Sequence, residues 1–183
     1  EFDFHRSVRS AHPLMESYGV DALPFEHKDL NKWRENFVGV QNLHADTNFL
    51  VFGAVDDVWV GPEDELIVVD YKATATDGEV NIDAPWQDAY KRQMEIYQWL
   101  LRKNDFPVSD MGYFVYVNGK MDKEAFDAKL EFDVKLIPYK GSDAWVEDAI
   151  IRAHECMNSD TIPEAAHDCE YCQYRATIQE VEK

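Results

Sequence analysis

Phe49 to Lys72 reads FLVFGAVDDVWVGPEDELIVVDYK, and this stretch decides the fold. β-Branched and aromatic residues dominate Phe49 to Val60 and again Leu66 to Tyr71, with the turn formers Gly61-Pro62-Glu63-Asp64 between them. Two strands joined by so short a loop pair antiparallel. If the loop runs from Gly61 to Glu65, Val60 faces Leu66 and Asp56 falls opposite Asp70. A loop shorter or longer by one residue shifts the pairing and separates the two aspartates unless a bulge intervenes. Asp70 and Lys72, two apart on one strand, share a face in any register, and Tyr71 points the other way, into packing.

Two aspartates brought together repel unless a cation or a proton intervenes. Mg2+ suits such a pair. It takes a few carboxylate oxygens, keeps waters, and completes its shell with phosphate oxygens and a backbone carbonyl, here that of Tyr71. A divalent ion so placed acidifies water and neutralises charge developing on a phosphate. Lys72 is then positioned to orient or deprotonate the water and to stabilise the transition state. The competing reading makes Asp56, Asp57 and Asp70 solvent-facing strand ends, one of them paired with Lys72.

Working outward, Asp83 to Lys103 carries Trp86, Tyr90, Met94, Tyr97 and Leu101 at helical spacing, and Asn104 with Pro107 stops it. Gln93 and Tyr97 are one turn apart on that helix and can both face the hairpin, although ordinary packing with a solvated glutamine also satisfies the pattern. Gly112 to Val117 fits a buried central strand and Leu130 to Leu136 a half-exposed one. Ser142 or Asp143 can cap a helix running to Met157, and Leu30 to Leu43 reads as loop or strand entry with some helix. This order predicts an α/β domain over residues 1–183, with a mixed central β-sheet flanked by helices.

Gly53 to Asp56, Asp70-Tyr71-Lys72 and Gln93-x3-Tyr97 together resemble the PD-(D/E)XK nucleases, and within them the RecB-type and CRISPR-adaptation exonuclease branch. Val68 to Thr74 and Lys91 to Leu101 are similar to short bacterial members. The resemblance implies a restriction-endonuclease-like fold and a Mg2+- or Mn2+-dependent, exonuclease-like DNA phosphodiesterase of repair, recombination or defence. It implies Asp56 and Asp70 as metal ligands, Lys72 as catalytic, and Gln93 and Tyr97 on the active-site helix. Members of the family begin with a helix that supplies a His or Glu near the metal. Here Glu1 and His5 are the candidates, and the abrupt start suggests that the natural N-terminus lies upstream.

Pro163, Cys169-Glu170-Tyr171-Cys172 and Tyr174 are similar to the terminal region of relatives that carry a [4Fe-4S] cluster, which implies a Cys-x-x-Cys segment over residues 163–175. Only Cys156 remains to join the pair, and it reads as a small buried residue within a helix. The isolated chain is therefore not expected to complete a four-cysteine cluster. A reduced pair, or zinc shared with His167 or His154, is the alternative. Three cysteines give no disulfide framework, and no run of twenty apolar residues occurs, so a soluble cytoplasmic protein without a membrane partner is expected.

The net charge of −18 over 183 residues opposes duplex binding, which rests on neutralising phosphates. Lys72, Lys91, Arg92 and Arg102 cluster in sequence around the proposed site, and acidic residues such as those in Glu124 to Asp133 can occupy a remote face. A protein partner that supplies DNA affinity is also consistent with this charge. Two other functions fit in part: a nuclease-fold scaffold or DNA-binding subunit without catalysis, and a metal-dependent hydrolase of another substrate, for which His44 is the one nearby imidazole.

Overall fold

A computed structural model describes residues 1–122 and 128–181, so Glu124 and its neighbours in the acidic stretch lie outside the described residues. In chain order the elements are α1 (Phe2–Val8), α2 (Pro13–Ser17), β1 (Leu23–Pro24), α3 (Leu30–Trp33), β2 (Val40–His44), β3 (Phe49–Gly53), β4 (Asp57–Val60), β5 (Leu66–Thr74), α4 (Asp88–Lys103), β6 (Met111–Gly119), β7 (Phe132–Lys140), α5 (Val146–Met157) and α6 (Glu170–Val181). They fall into two compact units, Glu1–Glu147 and Asp148–Lys183.

The central hairpin has the odd loop. Val60 pairs with Leu66 and Asp57 with Val69, antiparallel, with Gly61 N–H donating to the Glu65 carbonyl across the turn. On its other edge β5 pairs in parallel with β6, which requires a crossover, and α4 provides it. The sheet, in order β1-β4-β5-β6-β7, is therefore mixed and has helices on it, as expected for a restriction-endonuclease-like fold.

Phe49 to Val60, expected as one strand, is two. The chain leaves the strand conformation at Ala54 to Asp56, and β3 turns away to pair with β2 in a separate two-stranded sheet, Val40 opposite Gly53 and His44 opposite Phe49. That small sheet contacts α4, so the break lets one hydrophobic run serve two layers. Leu30 to Leu43 accordingly resolves into α3 and β2. The helix expected from Asp83 begins at Asp88 after a single 3-10 turn, Pro85–Gln87. Pro85 provides no N–H, and the Gln87 side chain instead accepts the Ala84 N–H at 2.9 Å.

One face of the sheet buries Trp59, Ile67, Val69, Val115 and Leu136 against Met15 and Ala22, with Phe2 and Leu14 of the N-terminal helices closing over them. α4 packs on β5 and turns Met94, Leu100 and Leu101 fully inward. Gly112 leaves room for the Met94 sulfur, which an added Cβ there would meet at 2.5 Å.

Asp57, which the competing reading placed among solvent-facing strand ends, is fully buried. Its Oδ1 accepts from Arg6, from Arg34 Nη2 at 2.6 Å and from the Val58 N–H at 2.8 Å, and its Oδ2 from Tyr71 Oη at 2.8 Å. Burial pulls the Arg6 pKa down, and Asp57 offsets part of that. The cluster ties α1 and the end of α3 to the central hairpin. Asp57→Asn leaves two guanidiniums facing a neutral group, and unfolding in urea should register a loss of about 3 kcal/mol. An unchanged midpoint would show that the cluster is solvent-screened.

Among the described residues, no helix is long and apolar enough to cross a membrane.

Candidate active site

The site is built where β5 alternates. Val69 and Tyr71 face the N-terminal helices. Asp70 and Lys72 face α4, with Lys72 Nζ 2.5 Å from Asp70 Oδ2 and 3.1 Å from Gln93 Oε1. Gln93 in turn donates through Nε2 to Tyr97 Oη at 2.7 Å, and Tyr90 places its ring under the same ammonium, 4.4 Å from Nζ to the ring centre. The one-turn spacing on α4 thus becomes a hydrogen-bonded relay ending on Lys72. Tyr71 lies on the opposite face, its ring against Phe2 and its hydroxyl on Asp57, and stays half-exposed. Burial and the adjacent Asp57 push its phenol pKa up.

The register carries Asp56 to the position opposite Asp70, just beyond the end of β4. Its Oδ2 accepts the Tyr71 backbone N–H at 2.8 Å, so the side chain continues the ladder one step past the strand. Asp70 is almost fully buried; its Oδ2 is paired with the Lys72 ammonium, and its Oδ1 has no hydrogen-bond partner among the described residues. Burial raises its pKa to about 6, Lys72 pulling down against it and Asp56 pushing further up. The Tyr97 pKa is raised too, first by burial, with Asp70 and Asp56 adding to it.

A buried carboxylate with one oxygen left without a donor, beside a second carboxylate, fits a hard divalent cation. Among the described residues no group of three or more His, Cys, Asp or Glu side chains gathers around a common point. An ion at this site would therefore be held by Asp56 and Asp70, with the Tyr71 carbonyl, water and substrate oxygens as the remaining ligands. That set matches Mg2+ or Mn2+ rather than zinc.

Gly53 opens this site to Tyr97. A Cβ at Gly53 would sit 2.6 Å from Tyr97 Cε1, so only glycine lets the ring reach the position from which it holds Gln93. Gly53→Ala should displace Tyr97, cost about 1–3 kcal/mol in overpacking, and lower turnover with it. Unfolding and activity measured on one preparation check this. An alanine variant with wild-type stability and rate would show that the ring is free to move.

Of the two N-terminal candidates, Glu1 lines a surface depression together with Phe2, Asp3, Arg34, Asp56 and Tyr71. His5 is instead engaged with Ser10 Oγ at 2.9 Å and lies edge-on to His12. His44 contacts Thr47 and Glu147, at 2.9 and 2.8 Å. Sequence reasoning missed Tyr90 and the Arg6 and Arg34 partners of Asp57. The adjacent pair Asp56-Asp57 was the available signal, since neighbouring residues near a strand cannot serve one face. Arg102, expected to lend charge to the site, pairs with Asp143 at 2.7 Å and Asp110 at 2.8 Å near the far end of α4. Lys91 pairs with Asp88.

The sequence model of the PD-(D/E)XK nuclease superfamily matches residues 6–177. The chain belongs to the PD-(D/E)XK nuclease superfamily. No curated protein and no solved structure matches it. Membership in the PD-(D/E)XK superfamily carries a nuclease-type function acting on nucleic acid, usually with divalent metals such as Mg2+ or Mn2+.

In the second unit of this PD-(D/E)XK chain, Cys169 and Cys172 are half-buried at the start of α6. The Cys172 backbone N–H, then its thiol, hold the Cys169 pKa below its usual value, and Cys169 raises that of Cys172. Cys156, expected to be buried, is exposed, and Tyr171 and Tyr174 are exposed as well.

Proposed function

We propose that the protein is a Mg2+- or Mn2+-dependent deoxyribonuclease whose reacting residues are Asp56, Asp70 and Lys72. The observation that carries this reading is the Asp70 carboxylate, buried with Oδ1 unpartnered, near Asp56 and paired through Oδ2 with Lys72. The chemistry supplied by a bound ion is activation of water and neutralisation of phosphate charge. Asp56 and Asp70 provide its anionic ligands. Lys72, held by Gln93 Oε1, would orient or deprotonate the attacking water or neutralise charge growing on the phosphate. The Gln93–Tyr97 contact prevents the amide from rotating away.

An exonuclease-like role in DNA repair, recombination or defence accords with the RecB-like motif order. The Cys169–Cys172 pair belongs to this proposal as a partial site for a [4Fe-4S] cluster or zinc, one that needs ligands from elsewhere. A catalytically silent scaffold is disfavoured by the intact Asp56, Asp70 and Lys72. Hydrolysis of a substrate other than nucleic acid is disfavoured by His44, which is taken up by Thr47 and Glu147. Single- and double-stranded DNA incubated with Mg2+ or Mn2+, with and without chelator, tests the proposal. Cleavage that requires the metal is expected, and DNA left intact under every condition would contradict it.

A further inference from the structure

Beside the proposed active site, Phe52, Gly53, Ala89, Arg92, Gln93, Ile96, Tyr97 and Trp145 line an open groove of about 520 Å³. Its size falls within the about 300–1,000 Å³ typical of ligand sites. Two of its residues, Gln93 and Tyr97, are the relay that ends on Lys72, so the groove and that site share a wall. Phe52 is 46% exposed at its edge. Trp145 is held in place by its indole N–H, which donates to Glu95 Oε2 at 2.6 Å, and Glu95 is itself buried and also accepts from Tyr139 Oη at 2.7 Å and the Ser142 N–H at 3.1 Å. An indole so braced is a preformed platform rather than a loose surface side chain. Arg92 is exposed and, among the described residues, makes no ion pair.

We propose that this groove is the track of a single strand of DNA, with bases stacked on Trp145 and Phe52 and one phosphate met by Arg92. The proposal rests on the nuclease reading above and specifies its substrate as single-stranded or frayed DNA. Three observations select that occupant. A duplex keeps its bases stacked on one another and offers a protein mainly phosphates, which a chain of net charge −18 is poorly equipped to hold. Arg102 is committed to Asp110 and Asp143, and Lys91 to Asp88, which leaves Arg92 as the cation on the groove itself. An unpaired strand, by contrast, also presents base faces, and stacking of each on an aromatic side chain adds to what a phosphate contact supplies. A second aromatic pair, Trp86 and Tyr90 in edge contact at 5.5 Å, stands on the Lys72 side of Gln93, with Trp86 62% exposed. Aromatic faces therefore border the site on both sides.

Fluorescence anisotropy of a labelled oligo-dT and of a blunt hairpin duplex, both in chelator so that no cleavage occurs, tests the proposal. Phe52→Ala and Arg92→Ala are the variants, since both side chains are exposed and neither belongs to the reacting set; thermal unfolding checks that they remain folded. The single strand should bind more tightly than the duplex. Phe52→Ala should weaken it about tenfold, as expected for one lost stacking contact. Arg92→Ala should weaken it less and flatten an already shallow salt dependence, the wild-type slope of log K against log salt being about −0.7, as for one phosphate of a single strand, rather than the steep slope of a many-phosphate interface. Single-strand binding indifferent to both variants, or duplex bound as tightly and weakened equally, would overturn the groove assignment. Metal-dependent cleavage measured in parallel keeps the two readings apart. If cleavage persists while the variants are silent, the nuclease stands and the groove belongs to another occupant. If cleavage is absent while the variants weaken strand binding, the groove stands and the nuclease reading fails.

Discussion

Asp70→Asn is expected to reduce metal-dependent cleavage by about 10³–10⁴-fold, the several kcal/mol that a correctly held ion contributes to a phosphoryl transition state, and yet to leave the protein more stable. Asparagine keeps the size of the side chain while removing the charge from a position 1% exposed. In the metal-free wild type that charge is costly, because burial raises the Asp70 pKa from 3.8 to about 6. An acid with a raised folded pKa binds its proton more readily in the native state. Its penalty is thus absent below about pH 3.8, grows through the window to about pH 6, and is complete above it. At most the penalty is about 3 kcal/mol, the attraction of Lys72 already included. The melting-temperature advantage of Asp70→Asn over wild type should therefore be larger at pH 8 than at pH 4.5, in chelator. An advantage that does not change with pH, or a destabilised variant, would mean that Asp70 is better solvated than its surroundings indicate. Undiminished cleavage would remove it from the site.

Lys72→Ala should lower cleavage by about 10²–10³-fold, in the range found when one preorganised charge is removed from a reacting centre. Substrate binding should change far less, because a lysine that acts on the transition state affects turnover more than ground-state affinity. Gln93→Ala, which frees the ammonium from the groove side but leaves it in place, should show a smaller loss in the same direction. A Lys72 variant with normal turnover and weakened DNA binding would make the residue a phosphate contact. Arginine at this position should not rescue. Its planar fork cannot occupy the single point between Asp70 Oδ2 and Gln93 Oε1 that the ammonium fills.

The hairpin was legible because the turn formers Gly61 to Asp64 mark its loop, and the shared face of Asp70 and Lys72 follows from strand alternation; the register stayed conditional until Val60 was seen opposite Leu66. Helical spacing made the shared face of Gln93 and Tyr97 legible but left ordinary packing open, and the relay to Lys72 was not legible from it. The division of Phe49 to Val60 was not, because a hydrophobic run carries no mark of where it changes sheets. Gly53 gave a local hint, but the reason for it, the Tyr97 ring, is a tertiary contact more than forty residues away. Asp57 and its arginines were hidden for the same reason. Arg6 and Arg34 are far apart in sequence, and only the packed N-terminal helices bring them onto one carboxylate. Burial of Asp70 follows from the depth of α4 over β5, which periodicity does not report.

Titration of Mn2+ into the metal-free protein, with free ion followed by electron paramagnetic resonance, tests most directly whether Asp56 and Asp70 form one cation site. Wild type should deplete the free-ion signal, and Asp56→Asn and Asp70→Asn should each abolish that depletion while remaining folded. Depletion equal to wild type in both variants would contradict the assignment.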